Sequence, residues 1–128
     1  MSDLGEPRVV PKPWGFERIF AQTDRYVGKV LHIEAGHRLS RQHHVRKDET
    51  IYVLAGPLIL ELGPPGPDAA VQRIEVPQGH AVRIRPGTLH RFIAPDARDC
   101  DLIEVSTPEL DDVVRHEDDY GREGTTDP

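Results

Sequence analysis

The chain has 128 residues, with 16 Lys and Arg against 22 Asp and Glu for a formal net charge of −6. That length allows one domain with one modest core, and the acidic balance argues against nucleic acid or an anionic membrane as the main partner. A lone Cys100, no apolar stretch of membrane-spanning length and an N-terminus without a signal-like apolar region point to a reducing cytoplasm and a small diffusible ligand.

Residues 1–13 carry Pro7, Pro11 and Pro13 and read as an extended arm, anchored by Trp14 and Phe16 where the barrel of 14–122 begins. Short β-branched and apolar runs then recur between Gly and Pro punctuation: FERIF, YVGKVLHI, ETIYVL, LILEL, VQRIEV, AVRIR, HRFIA and DLIEVS. This rhythm is that of an antiparallel all-β fold. The prolines of 63–69 mark a long hairpin loop. A short helical segment is expected over 109–115, with Thr107 before Pro108 as its N-cap and acids in its first turn. The polar tail of 123–128 has no apolar face to bury and is expected to be mobile.

Side chains alternate faces along a strand, so parity sorts which residues share an interior. Lys29, Leu31 and Ile33 share one face, as do Arg38, Ser40, Gln42 and His44 if the chain is extended there. Glu49 heads Ile51 and Val53, His90 precedes Phe92, and Ile103 and Val105 form a further row. The interior so described is apolar at one end and polar at the other. Gln42, His44, Glu49 and His90 are the candidate ligands of one divalent metal ion. Nitrogen and oxygen donors without sulfur suit Zn²⁺, Mn²⁺, Fe²⁺, Co²⁺ or Ni²⁺ rather than Cu⁺. His43 points away from Gln42 and His44 by alternation, and only a bulge would turn it inward. Lys29 is hard to explain as ordinary core, because a buried ammonium needs a partner acid or a function. Arg38 could reach an anionic or hydroxyl-rich ligand. Cys100 stands between Asp99 and Asp101, whose charges oppose thiolate formation.

Gly36, Gln42, His44, Glu49 and Gly56 fall on the places of the first cupin motif, with Gln where its first His is usual. Gly79, Gly87 and His90 match the second, although Arg85 takes the place of its Pro and Ala94 that of its Asn. The pieces KPWGFERI (12–19), RYVGKVLHIEAGHRLSRQHH (25–44), PGTLHR (86–91) and RHEDDYGR (115–122) narrow this further. The chain resembles the C-terminal cupin domain of type II mannose-6-phosphate isomerases, here as a stand-alone single domain without their sugar-nucleotide pyrophosphorylase part. The resemblance implies a double-stranded β-helix, or jelly-roll, barrel. It also implies zinc as the metal, on a Gln, His, Glu, His set. One departure lies beside the site: the relatives' run of histidines and Arg after the Gln is here His43, His44, Val45, Arg46 and Lys47.

Three functions remain open on this reading. The first is a metal-dependent isomerase or epimerase of a sugar or sugar phosphate, with Lys29 and Arg38 as catalytic or substrate-anchoring residues and a polyhydroxylated or anionic substrate. The second is a metal-dependent oxygenase, or an enzyme of redox-neutral rearrangement, acting on a small metabolite. The third is a non-catalytic ligand-binding barrel. Tyr52, Leu54 and Ile59 lie opposite the inward rows, so the arm or a second subunit must cover them. Cupins usually pair, and a homodimer is the expectation.

Overall fold

Alternating side chains and repeated turn residues produce two antiparallel sheets in the computed structural model, which describes residues 3–64 and 70–125. The first sheet contains β1 (Arg8–Lys12), β2 (Gly15–Gln22), β3 (Val27–Ile33), β5 (Glu49–Ala55), β8 (Ala81–Ile84) and β10 (Cys100–Ser106). Its strand order is β1-β2-β3-β10-β5-β8. The second contains β4 (Arg41–His43), β6 (Leu58–Gly63), β7 (Gln72–Val76), β9 (Leu89–Ile93) and β11 (Val114–Glu117), in the order β11-β4-β9-β6-β7. From β3 onward the chain crosses between the sheets at every step except β6 to β7, as in a jelly roll. The inner faces enclose a core of Trp14, Leu31, Ile33, Ile51, Val53, Leu58, Leu60, Phe92 and Leu102. Residues 8–12 pair along β2 and extend the sheet edge. No helix among the described residues is long and apolar enough to cross a membrane.

Two expectations are corrected. The segment 109–115 is not helical: it makes tight turns, with Leu110 N–H donating to the Pro108 carbonyl and Val113 N–H to that of Asp111, and then enters β11. Seven residues cannot nucleate a helix unaided, whereas Val114 and Arg115 gain a ladder against His43 and Gln42. In β10 the inward row is Cys100, Leu102, Glu104 and Ser106, while Ile103 and Val105 face outward. Glu104 stays inside because two lysines neutralise it there. The proline loop of 63–69 falls outside the described residues over 65–69, as does the tail over 126–128.

Candidate metal centre

Three short stretches aim the candidate ligands at one point. β4 and β9 pair so that Gln42 stands directly across from His90, which puts both side chains on one face. His44 follows the end of β4, and Glu49 opens β5. Between Arg85 and His90 the chain turns through Gly87 at φ +82°, a left-handed conformation that a side chain would strain. There the Gly87 N–H donates to the His44 carbonyl at 2.7 Å, tying the two histidine segments together.

His44, Glu49 and His90 are all buried, and their potential ligand atoms lie within 4.8 Å of one another. His44 Nε2 is 3.4 Å and His90 Nε2 3.2 Å from the same Glu49 oxygen, Oε1. The imidazole protons are spent elsewhere: His44 Nδ1–H donates to the Asp112 carbonyl at 2.6 Å and His90 Nδ1–H to the Thr88 carbonyl at 2.9 Å. A carbonyl can only accept, so these contacts assign the Nδ1–H tautomer and leave lone pairs on both Nε2 atoms. Those two nitrogens and both Glu49 oxygens are buried without a hydrogen-bond partner. Acceptors facing acceptors in a buried pocket form a site that could hold a cation between them. Two imidazoles and a carboxylate are the donor set of a borderline divalent ion, so the residues fit one.

Charged groups surround this cluster. Lys47 Nζ lies 3.4 Å from Glu49 Oε2 and 3.2 Å from Glu104 Oε2. Burial pushes the Glu49 carboxyl up, but the Lys47 ammonium and the His44 and His90 imidazoles together outweigh it and hold Glu49 well below the usual carboxylate range. Burial likewise raises Glu104, and there the neighbouring Glu49 charge adds to the rise. Lys29 Nζ sits between Glu17 Oε1 at 3.0 Å and Glu104 Oε2 at 3.5 Å. Beside these groups lies an internal cavity of about 40 Å³, lined by Gln42 and His44 and by five cations, Lys12, Lys29, Lys47, Arg115 and Arg122. That volume holds only a few waters.

Of the residues singled out in the sequence, His44, Glu49 and His90 converge, and Gln42 and Lys29 line the adjoining cavity. Gln42 Oε1 accepts a hydrogen bond from Ser40 Oγ at 2.6 Å. Arg38 does not join them: it precedes β4, and its guanidinium makes a bidentate pair with Asp119 at 2.6 and 2.8 Å. His43 points to the outer side, where its ring meets His116 with nitrogens 2.7 Å apart. Lys47, Glu104, Arg115 and Arg122 were missed. Only Lys47, close in sequence to His44 and Glu49, carried a local signal.

Asp112 is a further missed residue, and it orients His44. Its carboxylate accepts the backbone N–H groups of Val45, Arg46 and Lys47 at 3.0, 2.6 and 2.9 Å, while its carbonyl takes the His44 proton. Burial alone would raise the Asp112 pKa, but the three N–H donors lower it. A lowered carboxylate contributes stability that is complete above its unfolded pKa and is lost as pH falls through the folded one. Asp112→Ala is expected to cost about 1.5–3 kcal/mol near neutral pH, with the difference from wild type shrinking in acid. Denaturant melts at pH 7 and pH 3 measure both.

The family described as mannose-6-phosphate isomerase C-terminal matches residues 4–118. A curated relative, the mannose-1-phosphate guanylyltransferase of Escherichia coli K12, is 33% identical over 118 residues, 90% of this chain and 23% of the relative. The chain therefore spans about a quarter of that protein's length. Among solved structures, the capsular polysaccharide assembling protein CapF from Staphylococcus aureus superposes with a TM-score of 0.78 at 19% identity, covering 91% of this chain and 33% of CapF. A cupin-2 domain from Rhodospirillum rubrum gives 0.69 at 13% identity, covering 86% of this chain and 75% of its own. At those identities the structures speak for the fold alone, a cupin barrel.

Proposed function

The chain belongs to the mannose-6-phosphate isomerase C-terminal family, and from that premise we propose that it is a metal-dependent isomerase of a sugar or sugar phosphate, acting in the cytoplasm. The observation that carries the metal is the convergence of His44 Nε2, His90 Nε2 and Glu49 Oε1, three buried atoms without a hydrogen-bond partner. In this reading those three side chains hold a divalent ion, zinc by family preference, with Gln42 as an additional oxygen donor. Bound there, the ion would polarise a carbonyl and its neighbouring hydroxyl.

The chain's own residues supply the rest. The cavity lining carries five cations against two acids, Glu17 and Glu104, and this excess of positive charge favours an anionic group on the substrate. Moving a proton between adjacent carbons needs a base within reach, and Lys29, held between Glu17 and Glu104, takes that role or anchors the substrate. Arg38, fixed on Asp119, holds the segment of 117–120 in place.

Purified protein of known metal content, assayed for interconversion of mannose 6-phosphate and fructose 6-phosphate, tests the reading. Turnover that disappears on chelation and returns with zinc supports it; full metal loading without turnover on hexoses or hexose phosphates overturns it. The small cavity favours one alternative, a barrel that holds metal and ligand without converting them, and metal without turnover is its signature.

A further inference from the structure

β4 is a short strand whose side chains alternate, so that Gln42 lines the interior cavity while His43 turns outward. On the neighbouring edge strand β11, Val114 pairs with His43 and Arg115 with Gln42, but the next partner, Arg41, meets Glu117. His116 is therefore the extra residue of a β-bulge, a device that re-aims a side chain. Arg115 keeps to the cavity, and the exposed His116 ring comes to lie against His43. The two ring centroids are 4.9 Å apart, close to the 5.0 Å between His44 and His90 in the buried centre. His43 Nδ1 is 2.7 Å from His116 Nε2. Two nitrogens at that distance share one proton, so one of them offers a lone pair.

We infer that His43 and His116 form a second metal site, on the outer side of the sheet, which takes an exchangeable Zn²⁺, Ni²⁺ or Cu²⁺ ion in place of the shared proton. The geometry needs little change. Imidazole nitrogens sit about 2.0–2.1 Å from zinc, which at a tetrahedral angle places two of them about 3.3 Å apart. Reaching that spacing moves an exposed ring by only about 0.6 Å. Water completes the coordination, because the nearby carboxylates are committed: Glu117 accepts from Arg91 and Arg41, and Asp112 from the backbone N–H groups of 45–47. Two imidazoles with neither carboxylate nor thiolate favour these ions over Mg²⁺, Ca²⁺ or Mn²⁺. Two donors also hold an ion more loosely than the three inside, so this site fills only after the buried centre.

An ion bound there links two strand ends that shape the interior. His43 stands between Gln42 and His44, and His116 follows Arg115. β4 itself meets β9 through the pair Gln42–His90 alone. A cross-link from β4 to β11 on the outside holds the cavity-lining neighbours in register, whatever reaction the interior performs.

Equilibrium dialysis of the full chain against zinc, read before and after desalting, tests the inference. Wild type is expected to bind one loose equivalent that saturates at higher zinc and leaves on desalting. His116→Phe keeps a ring against His43 but removes its nitrogens, and weakens that equivalent by about 100-fold or more. His43→Phe, made separately, does the same. Far-UV circular dichroism with a thermal melt confirms folding, and His116→Ala stands in for either variant that fails. His80→Ala, whose exposed ring has the Gln78 carbonyl rather than a second imidazole beside Nδ1, keeps the loose equivalent. So does His90→Ala, which empties only the buried centre. Mg²⁺ does not compete for it. A loose equivalent that survives His116→Phe, one that is lost with His80→Ala or displaced by Mg²⁺, or the absence of any zinc that depends on His116 overturns the inference.

Discussion

His90→Ala protein is expected to fold yet fail to retain a divalent ion, with affinity lower by about 100-fold or more. Disturbing even the groups that orient a metal-binding histidine typically costs 10–100-fold, and His90 is itself one of the three buried donors that meet among the described residues. Thr88 and Gly87 would keep the turn, so the loss reflects the missing lone pair rather than a collapsed loop. Metal content after dialysis and the rise in melting temperature on adding zinc report it together, because an ion that binds only the folded state stabilises by mass action. Wild type should gain several degrees and the variant almost none. If wild type also gains nothing, the cluster is balanced by a proton and the metal assignment is wrong. Glu49→Gln separates these cases further. It keeps the shape but removes the negative charge, which a divalent ion needs and a neutral hydrogen-bond network does not.

The second large effect is expected at Lys29. Lys29→Met removes the ammonium between Glu17 and Glu104, both buried. Breaking a buried pair on one side costs about 3–5 kcal/mol, because the partner charge stays desolvated and unmatched. Here the loss should fall near the lower end, about 3 kcal/mol. Lys12 remains 4.0 Å from Glu17 and Lys47 remains 3.2 Å from Glu104. Lys29→Met with Glu17→Gln should recover much of the stability, since the orphaned acid is gone. If the double variant regains stability but turnover stays absent, Lys29 acts on the substrate. If turnover returns as well, its role is to keep the interior neutral. A Lys29→Met protein as stable as wild type would contradict the buried ion pair itself.

The sequence exposed the features that obey a period of two. Glu49 with Ile51 and Val53, and His90 with Phe92, sit on the predicted inner faces because β5 and β9 are regular. Where regularity stops, alternation misleads. Run back past Arg41, where β4 begins, it puts Arg38 on the inner face, whereas the intervening chain turns Leu39 into the core. In DLIEVS three apolar residues occupy both parities, so local pattern could not tell that Leu102 and Glu104 go inside. That choice depends on Lys29 and Lys47, which arrive from β3 and from the turn before β5. Arg115 and Arg122 reach the cavity only because β11 pairs with β4, and the ELDDVVR pattern read as helix concealed that pairing.

Cys100, the sole thiol of the chain, is fully buried on the inner side of β10, and burial together with the Asp101 charge pushes its pKa up to about 12. At neutral pH roughly one molecule in 100,000 would carry the reactive anion, and reagents cannot reach it. The native protein is in effect silent toward maleimides and mild oxidants. Any cysteine introduced on the surface would react alone, so spin labels or fluorophores can be attached one position at a time without first deleting the natural residue.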